Sequence, residues 1–176
     1  NTSTYGKAVA YRRSNNTLNT YHASSNTNLF YAGTPDANHV LFSNGTDYQT
    51  LASYQALVAG RDSLSKTGAV TFISTHIDSA GFLQPDPNIG TLVESGGQEI
   101  SGITDDRSQS NIRTAYPKIG QLNGGGWAPD IGAAELDGKP FILSDTITVG
   151  IGKDYTTLAA AIAALNTLGV DSGGVT

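Results

Sequence analysis

The chain has 176 residues, 14% of them charged and 38% hydrophobic, enough for one domain with a real core and indicating neither a disordered nor a membrane composition. A formal net charge of −5 argues against nucleic-acid binding, which needs clustered Lys and Arg to replace phosphate counterions. Zero Cys excludes disulfides, thiolate catalysis and Cys-ligated zinc, and zero Met with Asn1 at the start predicts a processed chain or a piece of a longer one. Ser, Thr and Asn together number 48, beside 21 Gly. That mixture suits short strands joined by side-chain-bonded turns and is poor material for a helical bundle.

In chain order, Tyr5 to Arg13 alternates with Tyr5, Val9 and Tyr11 on one side and predicts a strand. Asn15-Asn16 makes a turn, and Thr17 to Tyr21 reads as a second strand. Asn28 to Gly33 makes a third and His39 to Phe42 a fourth, closed by Asn44-Gly45. The period then changes: Leu51, Tyr54, Leu57 and Val58 fall at helical spacing, with Thr46 or Asp47 placed to cap the start and Gly60 to end it. Val70–Ile73, Gly81–Leu83, Thr91–Val93 and Glu99-Ile100 read as further strands, around a rigid turn at Pro85-Asp86-Pro87-Asn88. Ala128 to Gly138 reads as a closing strand after the Gly124-Gly125-Gly126 corner, and Thr146 to Val149 as another strand. Leu158, Ala161, Ile162, Leu165 and Leu168 then share one helical face, capped by Asp154 or Thr156 and stopped at Gly169. Val175-Thr176 looks like the beginning of a strand. No apolar run approaches the ~20 residues that a membrane helix needs.

Short strands separated by Asn- and Gly-rich corners are what the stacked coils of a parallel β-helix require, since each coil depends on the next for its core. A β-sandwich gives similar strands, and periodicity does not separate the two.

Three stretches carry a resemblance. They are Asn28 to Pro35 running on to Asp47–Leu51 and Arg61-Asp62; Ala128-Pro129-Asp130-Ile131-Gly132-Ala133-Ala134-Glu135-Leu136-Asp137-Gly138; and Ile147 through Leu165. Together they resemble Bacteroidota cell-surface modular proteins with right-handed parallel β-helix, pectin-lyase-like modules. The resemblance implies an all-β fold with two short helices. Residues 1–138 would be the C-terminal coils of one module, 139–149 a connector strand, and 150–176 the cap helix opening the next. It further implies a non-enzymatic structural segment of a secreted adhesin or extracellular filament. Such a segment is a rigid rod at the outer cell surface whose partners are adjacent β-helix modules of the same or a neighbouring chain. The alternative is a polysaccharide-active or carbohydrate-binding β-helix module, with surface polysaccharide as its partner.

The residues offer little catalytic equipment. Gly150-Ile151-Gly152 imitates part of a dinucleotide fingerprint but has Tyr155 where the third Gly belongs, so an ordinary glycine entry into a helix is expected. His22, His39 and His76 lie far apart in sequence, with no spacing for a metal pair. Asp105, Asp106, Arg107 and Arg113 are the one cluster resembling polysaccharide-lyase equipment, and an ion-paired loop is its plainer reading. In relatives the closing motif follows an Asp-Gly-Asp-like loop, which this chain lacks. Asp130, Glu135 and Asp137 are the carboxylates that calcium would use, though edge carboxylates also discourage strand addition. No other cofactor is expected. Tyr5, Tyr11, Tyr21, Tyr31 and Trp127 are expected to pack in coils rather than to form a sugar platform. Asp62-Ser63-Leu64, Asp78-Ser79-Ala80 and Asp145-Thr146-Ile147 look like Bacteroidota O-glycosylation acceptors, which makes Ser63, Ser79 and Thr146 the expected sites. Asn1, Asn15 and Asn44 head Asn-x-Ser/Thr sequons. An Ala-rich helix of about twelve residues is marginal alone, so its Leu158, Ile162 and Leu165 face is expected to dock on this module or a neighbouring one.

Overall fold

The computed structural model describes residues 6–109, 111–141, 143–145, 147–151, 153, 155–168 and 170–175. The elements run β1 (Ala8–Arg12), β2 (Leu29–Phe30), β3 (His39–Ser43), β4 (Asp47–Tyr48), α1 (Leu51–Leu57), β5 (Lys66–Thr67), β6 (Leu143–Asp145), α2 (Leu158–Leu168) and β7 (Val170–Val175). The class is all-β with two helices, built from small sheets.

β1 lies parallel to β3, with Ala8 opposite His39 and Tyr11 opposite Phe42. β3 continues through a tight turn into antiparallel β4. β2 pairs parallel with β5, placing Leu29 opposite Lys66, and β6 pairs parallel with β7 on either side of α2. Over these ladders Phe42, Leu41, Tyr54 and Val58 form a buried core, flanked by Tyr11, Leu18, Tyr21 and Phe30. The Phe42 and Tyr54 ring centroids are 4.7 Å apart, and Tyr11 stacks on Phe30 at 5.7 Å. Such pairs add to the area term of burial.

The helix α1 starts later than its pattern suggests. Thr50 is the cap, its hydroxyl accepting the Ser53 N–H at 3.2 Å. Asp47 is unavailable, because it begins β4 and Lys7 and the Ser43 hydroxyl hold its carboxylate against the end of β3. The strand expected over Thr17–Tyr21 is instead a 3₁₀ turn, Leu18–Thr20. The carbonyls there go to guanidinium groups rather than to a ladder: Arg13 takes Thr17 O at 2.7 Å, and Arg61 takes Tyr21 O at 2.9 Å.

From residue 70 to 140 regular pairing shrinks to isolated bridges, among them Phe72 with Pro85, Ser74 with Phe82, and Thr91 with Pro140. The expected closing strand at Ala128–Gly138 does not form. Pro129 has no N–H for a ladder and Gly132 bends the chain at φ 110°. The segment is tied down piecemeal instead, Ile131 N donating to Val93 O at 2.9 Å and Gly97 N to Pro129 O at 2.7 Å. Beyond it, β6 lies ahead of the predicted Thr146–Val149 strand, whose Val149 makes only a bridge to Tyr155. At α2 the Thr157 hydroxyl accepts Ala160 N at 3.2 Å, so the cap falls just after the expected Asp154 or Thr156.

Candidate functional site

The densest chemistry in the molecule is a set of buried carboxylates, Glu94, Asp106, Asp130 and Glu135, gathered around the 126–138 segment. Burying ionised groups is costly unless each finds partners, and here every one does.

Glu135 receives Arg113 Nε at 3.2 Å, Lys118 Nζ, the Tyr116 hydroxyl at 3.0 Å and the Asp130 N–H at 3.0 Å. Arg113 also donates to the carbonyls of Gly132 and Asp130, both at 2.8 Å. Among the described residues Asp130 pairs with no cation. Its two oxygens accept Ser95 N at 2.8 Å and Leu136 N at 2.6 Å, so one side chain clasps two distant segments. Glu94 does the same for Gly126 N at 2.9 Å and Gly138 N at 3.0 Å. Asp106 closes its own turn through Ser108 and Asn111 and joins that turn to Glu135 N.

The electrostatics follow from these partners. Burial pushes the Asp130 carboxyl up to about 7; the Glu94 and Glu135 carboxylates add to the rise, while the Leu136 and Ser95 N–H groups oppose it. Hydrogen bonds from Asn111 and Ser108 hold Asp106 well below the ordinary carboxylate range. Burial and the Glu135 carboxylate raise the Tyr116 phenol.

A second buried anion lies in the aromatic region. Asp62 is fully buried and sits at φ 53°, a backbone region unusual for a residue other than glycine. Tyr21 and Tyr54 hydroxyls, Ser65 Oγ at 2.7 Å and Asn28 Nδ2 at 2.7 Å all donate to it. Burial alone would raise its pKa, but these donors outweigh burial and lower it. The same contacts raise the Tyr54 phenol, burial first and Asp62 second.

Open grooves flank the carboxylate set, and two of them share Arg107. One of about 370 Å³ is lined by Ile103, Asp105, Asp106, Arg107 and Arg113. The other, about 680 Å³, is walled by Phe72, Phe82, Leu83, Val93, Ile131 and Leu136, and Arg107 borders both.

The residues singled out from sequence are distributed as follows. Asp130 and Glu135 come together, while Asp137 turns to Leu122 N and Asn123 N, at 3.0 and 3.1 Å. Among the described residues no group of three acidic or histidine side chains is arranged to hold a metal ion. The Asp105–Arg113 cluster splits: Asp105 is exposed, Asp106 organises its own turn, and Arg113 serves Glu135 and two carbonyls. His39 pairs with Asp36 at 2.9 Å, and His22 accepts Ser24 N. Ser63 and Ser79 are exposed, with Asn26 reaching Ser63 Oγ at 3.3 Å; Thr146 lies outside the described residues. Tyr11 and Tyr21 pack inward, Tyr31 and Trp127 stay half-exposed, and Tyr5 lies outside the described residues. On α2 the buried position is Ala161; Leu165 is half-buried, while Leu158 and Ile162 face outward at 66% and 48% exposure.

Sequence reading passed over Glu94, Tyr116 and Lys118, and took Asp62 only as part of a motif. A glycine pattern was the available signal. A Cβ on Gly97 would meet Pro129 O at 2.7 Å, and one on Gly125 would meet the Glu94 carboxylate at 2.1 Å. Glycines packed this closely mark where backbone is drawn against backbone and carboxylate.

No family model, curated protein or solved structure matches the chain.

Proposed function

We propose that the chain is a non-enzymatic structural segment of a secreted cell-surface adhesin or extracellular filament. In this reading it supplies the terminal coils of a parallel β-helix module (1–138), a connector (139–149) and the opening of the next module (150–176). The observation that carries the reading is the parallel pairing of segments far apart in the chain: Ala8 opposite His39, Leu29 opposite Lys66, Thr91 bridged to Pro140. Parallel partners need a long return between them, and a coil of a solenoid supplies one. The use of the buried carboxylates agrees with it. Glu94, Asp106, Asp130 and Glu135 hold backbone turns and one another's neighbours, which is the work of a scaffold rather than of an acid–base pair. Leu158 and Ile162, expected to dock, are exposed on this chain, which counts against docking on this module and leaves an adjoining module as their proposed partner.

Mass spectrometry of the intact native protein tests this reading, because a repeating rod requires a parent several modules long. A parent barely larger than this chain overturns it. The same spectrum reads glycan mass at Ser63, Ser79 and Thr146.

A polysaccharide-binding reading is favoured by one feature, the paired grooves with Arg107 between them. Binding of acidic polysaccharide that is lost in Arg107→Ala would support it over the rod.

A further inference from the structure

We propose that Asn44 is a site of spontaneous covalent modification, where the folded β3–β4 turn converts its side-chain amide into an aspartyl or isoaspartyl carboxylate. The proposal is independent of the rod reading.

Asn44 is followed by Gly45 at the tip of the hairpin, and the turn holds the reacting groups together. Asn44 N donates to Thr46 O at 3.2 Å, while Thr46 N donates back to Asn44 Oδ1 at 3.2 Å. This second bond holds the side chain over its own turn and polarises the amide carbonyl in the direction a nucleophile needs. Gly45 is exposed, its N–H has no partner among the described residues, and no atom would lie within 4 Å of a Cβ there. Base therefore has free access to that N–H.

The chemistry balances without any co-reactant but water. The Gly45 amide gives its proton to base and attacks Asn44 Cγ. A new C–N bond closes a five-membered succinimide, the bond from Cγ to Nδ2 breaks, and ammonia departs. Water then opens the ring at either carbonyl, leaving a carboxylate with a normal or an isoaspartyl backbone link. The net change is amide hydrolysis, with no redox step. The product places a negative charge close to Asp47, whose carboxylate is already held by Lys7 and Ser43. The isoaspartyl form also adds a backbone carbon to the turn that registers β4 on β3.

The chain carries its own comparison at Asn123-Gly124. There the amide is pinned: Asn123 Nδ2 donates to Asp137 O at 2.8 Å, and Asn123 N donates to Asp137 Oδ1 at 3.1 Å. The leaving nitrogen is tied to a carbonyl and its oxygen has no backbone donor among the described residues. The fold should thus protect Asn123 while leaving Asn44 ready to react.

The test is peptide mapping by mass spectrometry of the intact chain, incubated in mildly alkaline buffer either folded or unfolded in urea. The expected result is that folding leaves the Asn44 conversion rate unchanged or raised, slows Asn123 at least several-fold, and leaves the Asn44 rate increasing with pH. Overturning results are an Asn44 rate that drops several-fold on folding, or equal protection of the two sites. Asn44→Gln, which keeps the amide but lengthens the arm, should abolish the mass gain at this peptide; persistence of the gain would place the reaction at another residue and also overturn the proposal.

Discussion

The two main regions of the molecule are held together by different physics. Residues 6–67 pack rings and aliphatic chains over parallel ladders, with a single buried anion, Asp62, satisfied by neutral donors. Residues 70–140 have scarcely any ladder, and four buried carboxylates do the joining. Apolar burial is non-directional and tolerates small shifts, whereas carboxylate clasps demand geometry and respond to protons. The first region should therefore fail by cavity formation and the second by loss of a contact or a change of charge.

Removing the ring at the centre of the aromatic region gives the largest effect expected. Phe42→Ala should cost about 3–5 kcal/mol in urea unfolding followed by far-ultraviolet circular dichroism. The single tryptophan, Trp127, lies in the other region, so its fluorescence midpoint should stay nearly constant if the contrast is real. Coincident shifts of both signals would merge the two regions into one cooperative unit.

Asp62→Ala comes next. It strands the Tyr21 and Tyr54 hydroxyls, Asn28 and Ser65, and should cost roughly 3 kcal/mol, read by the same dichroism signal. Because the Asp62 pKa is lowered by folding, its stabilisation is present above the ordinary carboxylate range and disappears as acid protonates it.

Gly97→Ala should cost about 1–3 kcal/mol, since its methyl would press on Pro129 and Asp130 backbone atoms that cannot rotate away. Here Trp127 fluorescence should move and the dichroism midpoint should not.

The smallest change concerns slope. Asp130 is raised on folding, so the native state holds a proton that the unfolded chain has lost, and stability contributed by the clasp falls as pH rises from about 4 through about 7. Asp130→Asn removes the titration but leaves one oxygen for the two N–H donors, Ser95 and Leu136. It should lose part of the clasp below about pH 4, where wild type is protonated in both states, and gain on wild type as pH rises through about 7, flattening the pH dependence of the Trp127 midpoint. An unchanged slope would remove Asp130 as its source.

The same contrast explains what the sequence revealed. In residues 6–67 apolar spacing reported the packing directly: β1 and β2 lie within the predicted runs, β3 runs one residue past its own to Ser43, and Leu51, Tyr54, Leu57 and Val58 announced α1. The miss at Thr17–Tyr21 came from carbonyls taken by guanidinium groups, one from nearby Arg13 and one from distant Arg61, which apolar spacing does not display. In residues 70–140 the backbone partners are side chains such as Glu94 and Asp130, which polarity alone would place at the surface. Val70–Ile73 and Ala128–Gly138 look strand-like by composition, but their N–H and C=O groups go elsewhere. For the site, Asp130 and Glu135 were legible as a motif; that they meet Arg113, Lys118 and Tyr116 depends on how residues 105–127 return, which no spacing encodes.

The parallel registry of β1 on β3 and of β2 on β5 also governs how the chain folds in time. Neither pair can form until the residues between them have been made and their loop entropy overcome. The β3–β4 hairpin and the Thr50-capped helix α1 need only near neighbours, so they should form first and act as the template. Until β1 settles onto β3, Val9 and Tyr11 lie uncovered on an unpaired strand. That interval, rather than any property of the finished fold, is when the chain is most exposed to joining a second copy of itself.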